Sequence, residues 1–427
     1  MTIFEYTIVI IKVLFVVITA LTFVPLMIWL ERKGAAIIQD RIGPNRASIG
    51  FLRLAGLVHI VADSIKIFFK EDITPKFVNK FYYYLAPWIA GFVPFLTFAV
   101  IPFADKLVIG DKEIGMQVLD LDIGLLWFFA IVSLSVYSIV FAGWSSNSKY
   151  SLLGGIRASA QMLSYEIPMG LSVISLLMVF GTANLNEIVK AQGNLLFGIL
   201  PNWGIFLQPI SALIFIVCAF AETNRTPFDL AEGESEIVGG FHTEYSSMKF
   251  GLFFMGEYIS IVVSSALITT LFLGGWQVPY FNTQALIDNY KILIQCSLIV
   301  ASLIFILIGY KLYDHYEYHK NRWKDSRDKE GLIFSILSFI TSIFFIIILF
   351  VFSNIEHPYW LPSLFATIAQ IGIFLLKVSF ICWLFVWVRW TLPRFRYDQL
   401  MNLGWKGLLP LALANIFVTG SLMLFLE

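Results

Sequence analysis

Apolar residues along this chain run in blocks of about 20, the length of helix that crosses roughly 30 Å of hydrocarbon. The blocks recur from one end of the 427 residues to the other. They predict helices near residues 8–30, 82–103, 124–145, 160–181, 205–221, 250–273, 291–312, 332–353, 367–390 and 407–426. Ten spans place both termini on one side of a membrane. The first span begins without a basic leader, so no cleaved presequence is expected.

One polar-rich segment follows a different rule. From Phe51, FLRLAGLVHIVADSIKIFFKED repeats apolar residues at spacings of three and four, with His59, Asp63, Lys66 and Lys70 between them. That pattern predicts an amphipathic helix over 51–70, lying at the interface and too polar to span. It follows a turn signal, Gly-Pro-Asn within RIGPNR at 41–46.

Composition agrees: 58% of residues are hydrophobic and 14% charged, which excludes a soluble domain. Net charge is zero, so its distribution is the informative quantity. The loops at 31–81, 146–160, 222–249, 311–331 and 389–406 hold 23 of the 29 Lys and Arg, and these loops are expected on the cytoplasmic or matrix side. The termini then face the periplasm or intermembrane space. No basic patch suited to nucleic acid stands out.

Redox and metal signals are missing from the pattern. Cys218, Cys296 and Cys382 fall singly in apolar segments, and the five His show no paired ligand spacing. The chain is expected to carry no flavin, iron–sulfur cluster or metal, and any enzymology to be shared with partner subunits.

Acids are the unusual feature. Between two apolar blocks, Glu222, Asp229, Glu232, Glu234, Glu236 and Glu244 face one nearby base, Arg225, and Glu257 lies inside the following span. Glu166 sits in another span two residues before Pro168, whose missing N–H leaves the Ser164 carbonyl free and predicts a kink or a water site. Charge beside lipid is costly and marks function. Glu166, Glu222 and Glu257 together suggest a buried proton relay; the alternative is a set of neutral or ion-paired acids with a structural role. Arg32 and Lys33 read equally well as headgroup anchors, whereas Glu31 and Asp63 gain nothing from an anionic surface.

Five segments carry a family resemblance: ERKGAAIIQDRIGPNR, VADSIKIFFKED, GWSSNSKYSLLGGIRASAQMLSYEIP, AETNRTPFDLAEGESEIVGGFHTEYSSMKFGLFFMGEY and RWTLPRFRYDQLMNLGWKGLLPLALAN. They resemble the membrane subunit at the foot of respiratory complex I (NADH:quinone oxidoreductase), known as the H subunit in bacteria and as subunit 1 in mitochondria. The resemblance implies an all-α polytopic membrane protein with eight family helices, and two more from an inserted hairpin over 285–356. The family helices would then fall in 1–284, with the acidic loop at 222–249, and in 357–427, with the basic loop at 389–406.

The resemblance further implies the membrane side of a quinone chamber, with ubiquinone or menaquinone as substrate and no redox centre in this chain. Glu31, Arg32, Asp63, Arg394, Arg396 and Lys406 would line or shape that chamber, Asp229, Glu232, Glu234, Glu236 and Glu244 would form its floor, and Glu166, Glu222 and Glu257 would start a route to antiporter-like pump subunits. Implied partners are the peripheral-arm iron–sulfur and quinone-site subunits, small membrane subunits, antiporter-like subunits and lipid, in a bacterial inner membrane or, alternatively, the mitochondrial one. His59 stands where the family pattern leads one to expect Gln. Two alternatives stay open: the equivalent subunit of a ferredoxin-driven or hydrogenase-linked complex, and a free-standing ion transporter. Against the transporter stand the absence of a convincing internal repeat and the long charged loops.

Overall fold

The protein is described here from a computed structural model, which covers residues 3–110, 112–196, 198, 200–229, 240–320, 326–355 and 357–426. Among the described residues fifteen α-helices follow one another: α1 Ile3–Ile38, α2 Val58–Phe69, α3 Lys80–Phe98, α4 Gly124–Ser145, α5 Lys149–Phe180, α6 Leu185–Ala191, α7 Gly204–Leu207, α8 Pro209–Glu222, α9 Ser247–Phe272, α10 Thr283–Asp288, α11 Tyr290–His319, α12 Glu330–Asn354, α13 Leu361–Thr391, α14 Tyr397–Asn402 and α15 Leu409–Leu426. Two antiparallel hairpins interrupt them, β1 Lys106–Ile109 with β2 Lys112–Gly115, and β3 Leu195–Leu196 with β4 Leu200–Pro201. The protein is an all-α, multi-pass membrane protein.

Among the described residues, nine helices are long and apolar enough to cross a membrane. The expected fifth span differs. Its 14-residue core, α8, extends only about 21 Å at 1.5 Å per residue. Pro209 opens α8, and Gln208 before it leaves helical geometry (φ −135°, ψ 64°), so α7 is set off as a separate turn. The amphipathic helix is also shorter than 51–70 implied. Leu54 and Ala55 take left-handed backbone angles (φ 50° and 52°), and α2 proper begins at Val58. In contrast, α5 reaches back to Lys149 and runs unbroken through Pro168 to Phe180.

α9 is the most buried span, and it packs against α3, α13 and α1. α5 lies between α4, α8 and α15. Two polar devices lock the end of the bundle away from the basic loops. The Asn415 amide nitrogen on α15 shares its two N–H groups among Ser175, Ser211 and Gln208 at 3.1, 2.9 and 3.1 Å, joining α5, α8 and α15. Lys377 on α13 donates to the carbonyls of Leu273, Gly275 and Gln277 at 2.8, 3.0 and 2.8 Å, satisfying acceptors just past the end of α9. The α11–α12 hairpin packs mainly on itself, with Ser302 and Ser342 paired at 2.9 Å.

Candidate functional site

The site is assembled by close backbone approaches. Gly34 on α1 lies against the Trp390 indole, where a Cβ would overlap the ring, and this brings the end of α13 onto α1. Gly256 on α9 meets the Ala90 carbonyl of α3 in the same way. The turn after α8 is held by Gln161 of α5, whose amide donates to the carbonyls of Ala221 and Phe228 at 2.8 and 2.7 Å and lies 3.2 Å from Asn224 Oδ1. Asn224 adopts φ 49°, a left-handed angle that Asn tolerates better than most residues. The turn thereby aims Arg225 into the bundle.

Arg225 and Arg389 converge on Glu31. The distances to Oε1 are 3.2 and 2.8 Å, while the Tyr258 hydroxyl donates to Oε2 at 2.5 Å. Arg225 reaches Glu257 with its Nε at 2.6 Å and lies over the Tyr258 ring at 4.2 Å. Asp229 accepts from Arg394 at 2.9 Å. Three guanidiniums therefore meet three carboxylates where α1, the α8–α9 loop, α9 and α13 join. The side chains of Arg225, Glu257 and Glu31 are only 6%, 11% and 13% exposed, so each charge depends on its partners rather than on water.

Beside the cluster lies a cavity of about 270 Å³, lined by Glu31, Arg32, Arg225, Asp229, Glu257 and Arg389 among others. A second cavity of about 80 Å³ opens on the other side of Glu257 and contains Glu222, Asn224, Ser135, Ser138 and Ser260 in its wall. Glu257 and Asn224 belong to both walls. The smaller space has room for a few waters, at about 10–15 Å³ for each, and carries the polar partners they need.

Some expected residues fall here and others do not. Arg32 pairs with Asp63 across α1 and α2. Glu31, Asp229, Arg394 and Glu257 belong to the cluster, and Glu222 to the smaller cavity. Glu166 lines neither cavity; it accepts a hydrogen bond from Ser133 on α4. Arg396 points outward and pairs with Asp398 at 3.0 Å, with 83% of its side chain exposed, and Lys406 is exposed on a π-helical turn at Leu403–Leu408. Glu244 enters through its main chain, where its carbonyl takes the Tyr83 hydroxyl at 2.7 Å. Glu232, Glu234 and Glu236 lie outside the described residues.

Sequence reasoning missed Arg389 and Tyr258. Arg389 counted only as a basic-loop residue, because a base in the last turn of a span reads as a headgroup anchor until its partner Glu31 is seen. The presence of His at position 59 also finds an explanation: its Nε2 accepts from the main-chain N–H groups of Arg46 and Ala47, both at 3.1 Å, an acceptor role that a Gln carbonyl would also fill. Near the loop, burial pushes the Tyr245 hydroxyl up to about 12, so it stays protonated and donates to the Tyr83 carbonyl at 3.1 Å. No group of three or more His, Cys, Asp or Glu suited to a metal occurs among the described residues.

A family model described as NADH dehydrogenase matches residues 11–319 and 329–420. The chain belongs to that family, the membrane-embedded H subunits of NADH-quinone oxidoreductase. It is 40% identical over 415 residues to the H subunit of the Flavobacterium johnsoniae enzyme, covering 97% of this chain and 95% of the other. It is 41% identical over 414 residues to the H 1 subunit of the Cytophaga hutchinsonii enzyme, covering 96% of each. Subunit 8 of the Rhodothermus marinus enzyme is 40% identical over 394 residues, covering 92% of this chain and 90% of that one. The Flavobacterium match is nearly as long as the chain, so it takes in the α11–α12 hairpin. Membership makes this protein one part of a multi-subunit, quinone-reducing enzyme, and the free-standing transporter reading falls away.

Proposed function

We propose that this chain forms the membrane side of the quinone chamber in its complex and couples quinone reduction to proton translocation through buried carboxylates. The observation that carries the reading is the position of Glu257, in the wall of the larger cavity beside Glu31, Asp229 and Arg389 and in the wall of the smaller one beside Glu222. The larger cavity would accept the polar end of a quinone, supplied from the bilayer and held from the other side by a peripheral-arm subunit. The smaller one would carry a proton on from Glu257 to Glu222. Glu166, hydrogen-bonded to Ser133, would act further along the route.

Reduction of a quinone to a quinol consumes two protons. Drawing them from the chamber floor changes its charge, and Arg225 is placed to respond, since it bridges Glu31 and Glu257. A proton arriving on Glu257 releases its hold on Arg225 and leaves that guanidinium to Glu31; a proton leaving restores the bridge. Arg225 is thus a two-position element biased by the charge on either side. The chamber and the basic loops would lie on the cytoplasmic side of a bacterial inner membrane, with antiporter-like subunits receiving the relay.

The test is Glu257→Gln in the whole complex reconstituted in vesicles. Quinone reduction by NADH should persist at a reduced rate while protons moved per electron fall by more than half. Unchanged pumping per electron would sink the coupling role.

A further inference from the structure

The α11–α12 hairpin reaches the first loop through one carboxylate. Glu330, the first residue of α12, is 7% exposed and accepts three hydrogen bonds: from the Arg53 N–H at 2.9 Å, the Leu54 N–H at 2.6 Å and the Arg53 guanidinium Nε at 2.7 Å. The backbone it grips is unusual. Leu54 and Ala55 both hold left-handed angles, which side-chain-bearing residues adopt only when their surroundings impose them.

Little hairpin packing supports the turn directly among the described residues. A cavity of about 750 Å³ separates Leu54, Ala55 and Leu57 on one side from Ile308, Leu312 and Phe334 of the hairpin on the other. Across that gap the carboxylate joins the hairpin to the turn, adding to the turn's own bonds from Gly56 N–H to the Arg53 carbonyl and from Leu57 N–H to the Leu54 carbonyl.

The position of α2 follows from that turn. The Ala55 carbonyl accepts from Trp29 Nε1 at 3.1 Å, α2 starts three residues later, His59 collects the Arg46 and Ala47 N–H groups, and Asp63 pairs with Arg32, which lines the 270 Å³ cavity beside the ion cluster. A continuous line of named contacts runs from the hairpin to the chamber.

We infer that Glu330 is a positioning residue: by holding Arg53–Ala55 it fixes α2 against α1 and so shapes the lipid-side mouth of the chamber for the long apolar tail of the quinone. The inference rests on the chamber reading above. It gives the hairpin a part in quinone selection rather than only in membrane contact. A quinone with a short tail, which reaches the cavity without lying along α2, does not sense it.

The experiment uses the intact complex with Glu330→Ala and the milder Glu330→Gln, which keeps an acceptor but loses the charge. Hydrogen exchange over 53–57, measured without quinone, should speed up in both variants. KM for a long-tailed quinone should rise about tenfold in Glu330→Ala, equivalent to about 1.4 kcal/mol, and by less in Glu330→Gln, while kcat and KM for a short-tailed analogue stay put. Should Glu330→Ala fail to assemble, the Glu330→Gln complex decides by the same split. Unchanged exchange would overturn the tether itself. Faster exchange with equal KM for both quinones would make Glu330 a structural strap and overturn the positioning role. Because exchange is read without quinone, a failed tether is distinguishable from a failed chamber, which would show as no effect of chamber substitutions such as Asp229→Asn on either quinone.

Discussion

Replacing Glu31 by Gln tests the ion cluster most sharply. The carboxylate faces two guanidiniums, at 3.2 Å from Arg225 and 2.8 Å from Arg389, and takes the Tyr258 hydroxyl at 2.5 Å. At an effective dielectric near 20, charges about 4 Å apart attract by about 4 kcal/mol, so the two pairs together are worth roughly 8 kcal/mol gross. Removing the carboxylate also removes its desolvation cost of several kcal/mol, and Arg225 keeps Glu257, so the net loss should be about 3 kcal/mol. Arg389→Gln should cost less, because that side chain is 29% exposed and Glu31 retains Arg225 and Tyr258. The double variant should fall short of the sum of the singles by at least about 1.5 kcal/mol, because removing the second partner relieves an orphaned charge. Equilibrium unfolding in mixed detergent micelles, followed by tryptophan fluorescence, measures all three. Costs that simply add, or a Glu31→Gln variant as stable as the parent, would refute the cluster as drawn.

Two further outcomes probe the scaffold by the same unfolding assay. Lys377→Met strips three carbonyls past α9 of their donor and should cost about 1–3 kcal/mol or more, while an exposed substitution such as Lys291→Met costs little. Gly34→Ala, whose methyl would overlap Trp390, should cost at least about 1–3 kcal/mol and slow quinone reduction by displacing Arg389; Gly170→Ala, in open space on α5, should be neutral or stabilising by about 0.5–1 kcal/mol.

What was legible in the sequence follows from how local each signal is. Length and hydropathy were enough for the long spans, because each satisfies its own backbone and needs no neighbour to form. At 205–221 they found the apolar helix but not its length, since Pro209 breaks the run and leaves α8 short. The acids were found because charge in an apolar block is conspicuous, but their grouping was not legible. Glu257 and Glu222 share a cavity and Glu166 does not, since that depends on how each helix is rotated about its axis against its neighbours. The basic tract shows the same limit: Arg389 and Arg394 turn inward to Glu31 and Asp229, whereas Arg396, two residues on, turns out to Asp398. Glu330 was hidden in a loop read as basic, because its partner lies 277 residues away.

The most direct test of the central claim is photolabelling of the native complex with a quinone carrying a photoreactive headgroup, followed by peptide mapping of this chain. The account predicts cross-links in the segments around Glu31, Asp229 and Glu257, lost when excess unmodified quinone competes. Competable labelling that misses all three segments, or no competable labelling of this chain, would contradict it.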